Sequence, residues 1–127
     1  MSPEDLRYTE KHAWMRQEGA EWLVGVTDYA AGSMGDVIFV ELPAVGTGVA
    51  PGQTYGSVES AKAVEDLVSP LSGEVVRVNE ALEDTPETLN EDAYGAGWII
   101  AVKPTGEVDL SGTLSAAQYE AYLQAQA

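Results

Sequence analysis

Cysteine is absent from this chain of 127 residues, and basic residues are scarce. Without cysteine there is no disulfide, no thiolate nucleophile and no thiolate metal site, so any sulfur chemistry must come from a cofactor or a partner. The 6 Lys and Arg residues stand against 21 Asp and Glu residues, which gives a net charge of −15. That charge argues against binding to nucleic-acid phosphates or anionic membranes, and it favours partners with basic faces.

Long apolar runs are also missing. The longest, residues 37–40 and 98–102, fall far short of the roughly 20 residues that span a bilayer. Residues 1–5 lack the features of a signal or transit peptide. The single histidine, His12, excludes a His-rich metal site. We therefore expect one cytoplasmic domain over residues 1–127, with no metal, membrane or nucleic-acid partner; the mitochondrial matrix is the alternative if a targeting segment has been removed.

The residues that are present indicate a mostly β fold. Glycine (13) and proline (6) separate short runs that are rich in Val, Ile and aromatic residues. Several short strands with turn signals between them are typical of a sandwich or a barrel. The predicted strands cover residues 21–26, 37–42, 55–60, 63–68, 74–78 and 98–103.

Two short helices are predicted between these strands. The first covers residues 28–34, with Thr27 as its N-cap and Gly35 as its end. The second has Thr85 as its cap, Pro86 at the first helical position and the acid Glu87 in the first turn.

A third helix is predicted at the C-terminal end, over residues 115–123. Ser115 and Gln118 have the spacing of a capping box, in which each side chain satisfies the backbone amide of the other residue. Tyr119, Tyr122 and Leu123 then form one apolar stripe, so this helix should pack on the sheet.

The junction of two predicted strands, at Ala61-Lys62, lacks the Asn-Gly or other glycine-containing pair of a tight hairpin. A departure from local turn chemistry often has a functional reason. Lysine is scarce, with only Lys11, Lys62 and Lys103 in the chain. Lys62 is the one at a predicted hairpin tip, between two small alanines and near the acids Glu59, Glu65 and Asp66.

Three interpretations of a lysine at a hairpin tip compete. The first is a solvated turn residue that balances the nearby acids. The second is a Schiff-base lysine, which needs a lowered pKa, and carboxylate neighbours act in the opposite direction. The third is covalent attachment of a swinging cofactor, because a protruding tip gives a modifying enzyme access to the amine.

The segment Val58-Glu59-Ser60-Ala61-Lys62-Ala63-Val64 resembles the lipoylation hairpin of the glycine cleavage system H protein family. The resemblance runs from Arg7 to Leu123 as a series of ordered blocks. Besides the hairpin, these blocks are Tyr8-Thr9, His12-Ala13-Trp14, residues 24–30, 35–43, 69–75 and 78–82, Pro86, Asn90, Tyr94, residues 97–99, and Lys103-Pro104.

This resemblance implies a barrel-sandwich hybrid with short helices, including one at the C-terminal end. It implies a carrier without a catalytic residue of its own, with lipoate amide-linked to Lys62. Glycine decarboxylase (P-protein) would load the arm with the aminomethyl group of glycine. The tetrahydrofolate-dependent aminomethyltransferase (T-protein) would unload it, and dihydrolipoyl dehydrogenase (L-protein) would reoxidise it. Lipoate-attaching enzymes are further implied partners. His12 and Asp66 are candidates for the groove that shelters the arm.

Two positions depart from the family pattern. Ala13 replaces the acid that usually precedes the tryptophan, and Ser33 stands where some members have histidine. We hypothesise that the loaded arm is less protected here than in relatives with the acid.

The sequence leaves four alternatives open. These are an H-like protein that relays lipoate, a lipoyl domain of a 2-oxo-acid dehydrogenase complex, a biotin carrier and an unmodified interaction domain. Lipoyl domains of that complex are shorter and lack the flanking blocks. Biotin carriers usually have Met on both sides of the lysine, where this chain has Ala61 and Ala63.

Overall fold

The computed structural model describes residues 6–106, 108 and 113–126. In this part the chain is mostly β with short helices, which confirms the predicted fold class. The elements in chain order are β1 (Arg7–Tyr8), β2 (Ala13–Glu18), β3 (Glu21–Val26), α1 (Asp28–Met34), β4 (Val37–Glu41), β5 (Gly48–Val49), β6 (Thr54–Ser60), β7 (Val64–Val68), β8 (Gly73–Val78), α2 (Ala81–Asp84), α3 (Thr88–Glu91), β9 (Ile100–Pro104) and α4 (Ala116–Gln126).

The strands form two antiparallel sheets that face each other. One sheet has six strands in the order β1-β2-β3-β9-β8-β5, and the other has three in the order β4-β6-β7. The main core lies between them, because alternate residues of facing strands bury their side chains there. Fully buried members of this core include Val24 of β3, Val58 of β6, Val75 of β8 and Ile100 of β9.

The opposite face of the six-stranded sheet carries a second apolar cluster beneath α4. Tyr8, Trp14 and Tyr119 are its fully buried aromatic members. The rings of Tyr8 and Tyr119 stack with centroids 4.9 Å apart and planes 8° from parallel. The predicted apolar stripe of the C-terminal helix therefore packs on the sheet, as expected.

Helix ends agree with the predicted caps. Thr27 Oγ1 accepts a hydrogen bond from the Ala30 amide at 3.2 Å, and Gly35 ends α1 with a positive φ of 77°. Ser115 and Gln118 form the reciprocal pair of a capping box, with amide–side-chain distances of 2.9 and 3.2 Å. No helix in the described part of the chain is long and apolar enough to cross a membrane.

The short helix predicted after the Thr85 cap is present as the single-turn α3, which begins at Thr88 rather than at Pro86. A further single turn, α2, precedes it and ends at Thr85, where the amide and the hydroxyl both donate to the Ala81 carbonyl. A Pro restricts the residue before it to non-helical backbone, which explains the break at Thr85-Pro86.

The six predicted strands are present, with ends at most two residues from the predicted ones, and three further strands are not predicted from the sequence. β1 and β5 have two residues each. β2 has no β-branched residue, and its second half is Arg-Gln-Glu. It is a strand because β3 pairs with it along its whole length, from Ala13 opposite Val26 to Glu18 opposite Glu21.

Candidate functional site

Lys62 lies at the tip of the β6–β7 hairpin, in a turn that contains no glycine and is closed by the side chain of Ser60. The Ser60 amide donates to the Ala63 carbonyl at 2.8 Å, which leaves Ala61 and Lys62 as the two turn residues. Neither has a positive φ. The Ser60 hydroxyl oxygen accepts from the amides of Lys62 (3.3 Å) and Ala63 (3.2 Å), so a side chain closes the turn.

The tip is tied to the start of β4. The Ala61 amide donates to the Asp36 carbonyl at 3.1 Å. Asn90 in α3 holds the same segment, since its side chain donates to the Gly35 carbonyl at 2.8 Å and accepts from the Val37 amide at 2.9 Å. An added Cβ at Gly35 would lie 3.5 Å from Lys62 Cε, so the lysine stem lies against this glycine. The tip is thus a positioned structure rather than a loose loop.

An open groove of about 350 Å³ starts at Lys62 and runs along the free edge of β7. The three site residues predicted from the sequence, Lys62, His12 and Asp66, all border it. The other lining residues are Lys11, Val26, Tyr29, Ala30, Ser33, Met34, Ala63, Glu65 and Leu67. The groove therefore has an apolar floor and charged rims.

Two acids of β7 border the groove from different faces of the strand. Glu65 pairs with the buried Val58 of β6, so it belongs to the inner face of the three-stranded sheet. Asp66 pairs with Ser57 and belongs to the other face. Both reach the groove because β7 is an edge strand. Asp66 is the acid predicted from the sequence. Glu65 was not predicted, although its period-2 relation to the buried Leu67 is a signal for its place on the inner face.

His12 is the one non-glycine residue with a positive φ, 64°, in the described part of the chain. Its Nδ1 lies 2.8 Å from the Tyr119 hydroxyl, which lies 2.7 Å from Thr27 Oγ1. Thr27 Oγ1 accepts from the Ala30 amide, and the Tyr119 hydroxyl is the acceptor that this network offers to the Thr27 proton. We therefore assign Thr27 as the donor to Tyr119, and Tyr119 as the donor to a neutral His12. The reverse order would leave the buried Thr27 proton without an acceptor in this network.

Burial sets the ionisation of this network. It lowers the pKa of His12 from the usual 6.5, so the neutral ring is favoured. It raises the pKa of Tyr119 to about 12, so the hydroxyl keeps its proton. With Nδ1 engaged by Tyr119, the Nε2 of His12 carries the ring proton.

The two positions that depart from the family pattern lie at different depths. Ser33 is exposed and lines the groove itself. Ala13 is buried and lines an adjoining depression of about 230 Å³, which shares His12, Glu65 and Asp66 with the groove. A longer side chain at residue 13 would therefore extend into this depression.

Comparison with known proteins agrees with this geometry. The family model described as "Glycine cleavage H-protein" matches residues 6–126. The chain belongs to this family. It is 49% identical to the glycine cleavage system H protein of Anaeromyxobacter sp. (strain K) over 124 residues, which cover 98% of this chain and 97% of the relative. It is 50% identical to that of Myxococcus xanthus (strain DK1622) over 122 residues, or 96% and 95% of the two chains.

A solved structure supports the same membership. The crystal structure of a glycine cleavage system H protein from Mycobacterium marinum superposes with a TM-score of 0.88 at 40% identity, and covers 97% of this chain and 99% of that chain. The family membership expected from the hairpin and the ordered sequence blocks is therefore confirmed.

Proposed function

We propose that this family member is the lipoyl carrier of a glycine cleavage system, with Lys62 as the attachment residue. The observation that carries the proposal is an exposed lysine on a positioned hairpin tip beside a groove, in a chain that the family model matches almost throughout. The backbone bonds of Ala61 and Ser60 keep the tip in one place for successive partners.

The residues of the groove fit a lipoyl group. Lipoate combines an aliphatic chain with an apolar dithiolane, and Val26, Ala30, Met34 and Leu67 supply apolar surface next to Lys62. When bound, the group would supply the redox-active disulfide that a chain without cysteine lacks.

Attachment requires only that Lys62 Nζ be accessible as an amine. After loss of a proton, Nζ bonds to the carboxyl carbon of an adenylated lipoate. The bond from that carbon to the AMP oxygen breaks, AMP leaves with the electron pair, and a second amine proton is released. The small side chains of Ala61 and Ala63 leave room for an enzyme around this atom.

Tethering gives the carrier its role. A reactive group held on one residue reaches several enzyme sites at a high effective concentration. Glycine decarboxylase, the aminomethyltransferase, dihydrolipoyl dehydrogenase and a lipoate-attaching enzyme are the partners in this proposal. The net charge of −15 suits basic faces on those enzymes.

The test combines intact mass with reconstitution. The unmodified chain is incubated with a lipoate–protein ligase, lipoate and ATP, and then added to the other glycine cleavage components. We expect the mass of one lipoyl group on the native chain and on Lys103→Arg, none on Lys62→Arg, and glycine cleavage only with the modified forms. A Lys62→Arg chain that still gains the group would contradict the assignment. Modification of Lys62 without any glycine cleavage would favour lipoate relay instead.

A further inference from the structure

The outer face of the three-stranded sheet carries exposed apolar side chains beside the hairpin tip. Phe39 pairs with Glu59, and Glu59 pairs with Val64, so these three residues form one row across β4, β6 and β7. The row lies on the face opposite the core, and Phe39 and Val64 are 50% and 63% exposed. Large apolar groups gathered on one face of a small domain indicate an interaction site.

An irregularity in β4 adds a third apolar side chain. Val37 pairs with Ser60 and Phe39 with Glu59, so Ile38 is an extra residue on β4 opposite one step of β6. Such a bulge lets successive residues avoid strict alternation. Val37 is buried, whereas Ile38 is 54% exposed next to Phe39. We call Ile38, Phe39 and Val64 the tip patch.

The tip patch has a fixed position relative to Lys62. Val64 follows Lys62 by two residues, and Phe39 lies two strands away from Val64, at about 10 Å. The hydrogen bond from the Ala61 amide to the Asp36 carbonyl joins the tip to the start of β4. An enzyme that reaches Lys62 therefore meets the tip patch in a single orientation.

Apart from Lys62 at the tip, the charged residues of this sheet are all acidic. The strands β4, β6 and β7 contain four acids and no Lys or Arg. Glu41, Glu59 and Asp66 belong to the outer face with the tip patch, and Glu65 belongs to the inner face. A second copy of this chain would bring like charges together, so self-association through this face is disfavoured. A partner with an apolar centre and a rim of Lys and Arg is complementary.

The length of the lysine side chain indicates which partner enzyme contacts the tip patch. Before modification, Nζ extends only about 6 Å from its backbone. The attaching enzyme must bring its active site within that distance of the tip, so the surface around its entrance has to contact the neighbouring side chains. Enzymes that act on the modified carrier reach it through a longer arm and are under no such constraint.

We propose that the tip patch is the docking surface for the enzyme that acylates Lys62, whose entrance would present apolar residues within a basic rim. This inference rests on the proposed function, since it requires Lys62 to be the acylated residue. In this proposal the acylating enzyme recognises the outer face of the three-stranded sheet. The groove that fits the lipoyl group is a separate surface along the edge of β7.

The test is the steady-state kinetics of lipoylation of the full chain by a lipoate–protein ligase, with carrier concentration as the variable. We expect Phe39→Ser and Val64→Ser each to raise the KM for the carrier about five- to tenfold, with kcat nearly unchanged. Phe39→Leu should restore most of the affinity. The matched control is Val45→Ser, because Val45 is 61% exposed in the loop that follows β4, at the end away from the tip.

Added salt tests the charged rim. We expect the KM of the native chain to rise as the NaCl concentration increases from about 0.05 to about 0.3 M. Over this range the electrostatic screening length shortens, and near 0.15 M it is about 8 Å. Glu59→Gln should raise the KM at low salt and weaken this salt dependence.

The outcomes separate this inference from the proposed function. Unchanged KM in Phe39→Ser and Val64→Ser, or an equal rise in Val45→Ser, overturns the docking surface while leaving Lys62 as the attachment site. The docking surface would also be overturned if the native chain formed dimers that these substitutions dissociate. The tip patch would then bind a second copy of the chain rather than the acylating enzyme. Absence of acylation at Lys62 in the native chain removes the proposed function itself. Urea denaturation of each variant ensures that the kinetics refer to folded protein.

Discussion

Tyr119→Phe isolates the hydrogen-bond network that joins α4 to the groove. The substitution removes one oxygen, which lies 2.8 Å from His12 Nδ1 and 2.7 Å from Thr27 Oγ1. It retains the ring that stacks on Tyr8 and that is fully buried in the second apolar cluster. The change in stability therefore reports the two hydrogen bonds rather than a loss of packing.

The expected loss follows from the two bonds. Each hydrogen bond contributes about 0.5–1.5 kcal/mol net, so the pair contributes about 1–3 kcal/mol. Thr27 Oγ1 keeps its bond from the Ala30 amide, and half-buried His12 retains access to water. These remaining partners limit the penalty, and we expect a loss of about 2 kcal/mol in the free energy of unfolding.

The assay is urea denaturation at pH 7.5, with Tyr122→Phe as the matched control on the same helix. The Tyr122 hydroxyl donates to the Glu10 carbonyl at a long 3.4 Å in an exposed setting, so this control should lose less than about 0.5 kcal/mol. Equal losses in Tyr119→Phe and Tyr122→Phe would refute the assigned role of the buried network.

The same variant has a predicted pH dependence. Because burial lowers the pKa of His12 below 6.5, the folded state binds fewer protons than the unfolded state. The Tyr119 hydroxyl donates to Nδ1 of the neutral ring only, so protonation of His12 removes this bond. The contribution of the bond to stability is therefore complete above pH 6.5 and declines as the pH falls towards the lowered pKa. We expect the difference between the native chain and Tyr119→Phe to narrow between pH 7.5 and 5.5. A constant difference would contradict a neutral His12 as the acceptor.

Four further substitutions test the local geometry. Gly25→Ala should lower the free energy of unfolding in urea by about 1–3 kcal/mol, because the added Cβ would lie 2.7 Å from the buried indole of Trp14. Gly32→Ala should raise it by about 0.5–1 kcal/mol, because an added Cβ there meets nothing within 4 Å. Changes of the same sign in the two variants would be evidence against this packing. Ser60→Ala should cost about 1 kcal/mol and speed amide exchange at Lys62, and unchanged exchange would show that the hydroxyl does not close the turn. Ala13→Glu should slow ammonia release from the loaded carrier roughly tenfold if a carboxylate in the adjoining depression holds the amine, whereas an unchanged rate would remove any functional meaning from Ala13.

The sequence alone predicted the features that depend on neighbouring residues. The Thr27 cap, the Gly35 end and the Ser115–Gln118 capping box are contacts between residues at most four positions apart, so their spacing suffices to identify them. The exposed tip position of Lys62 also followed from the two apolar runs that flank it.

The tertiary structure decided the features that depend on distant residues. β2 is a strand through its pairing with β3, despite its polar second half. The bulge that exposes Ile38 exists only in the register of β4 against β6, and the placement of Glu65 on the inner sheet face follows from its pairing with Val58. His12 and Tyr119 meet across 107 positions. No local pattern encodes such contacts, because strand pairing and the docking of α4 bring together side chains whose sequence neighbourhoods are independent of each other.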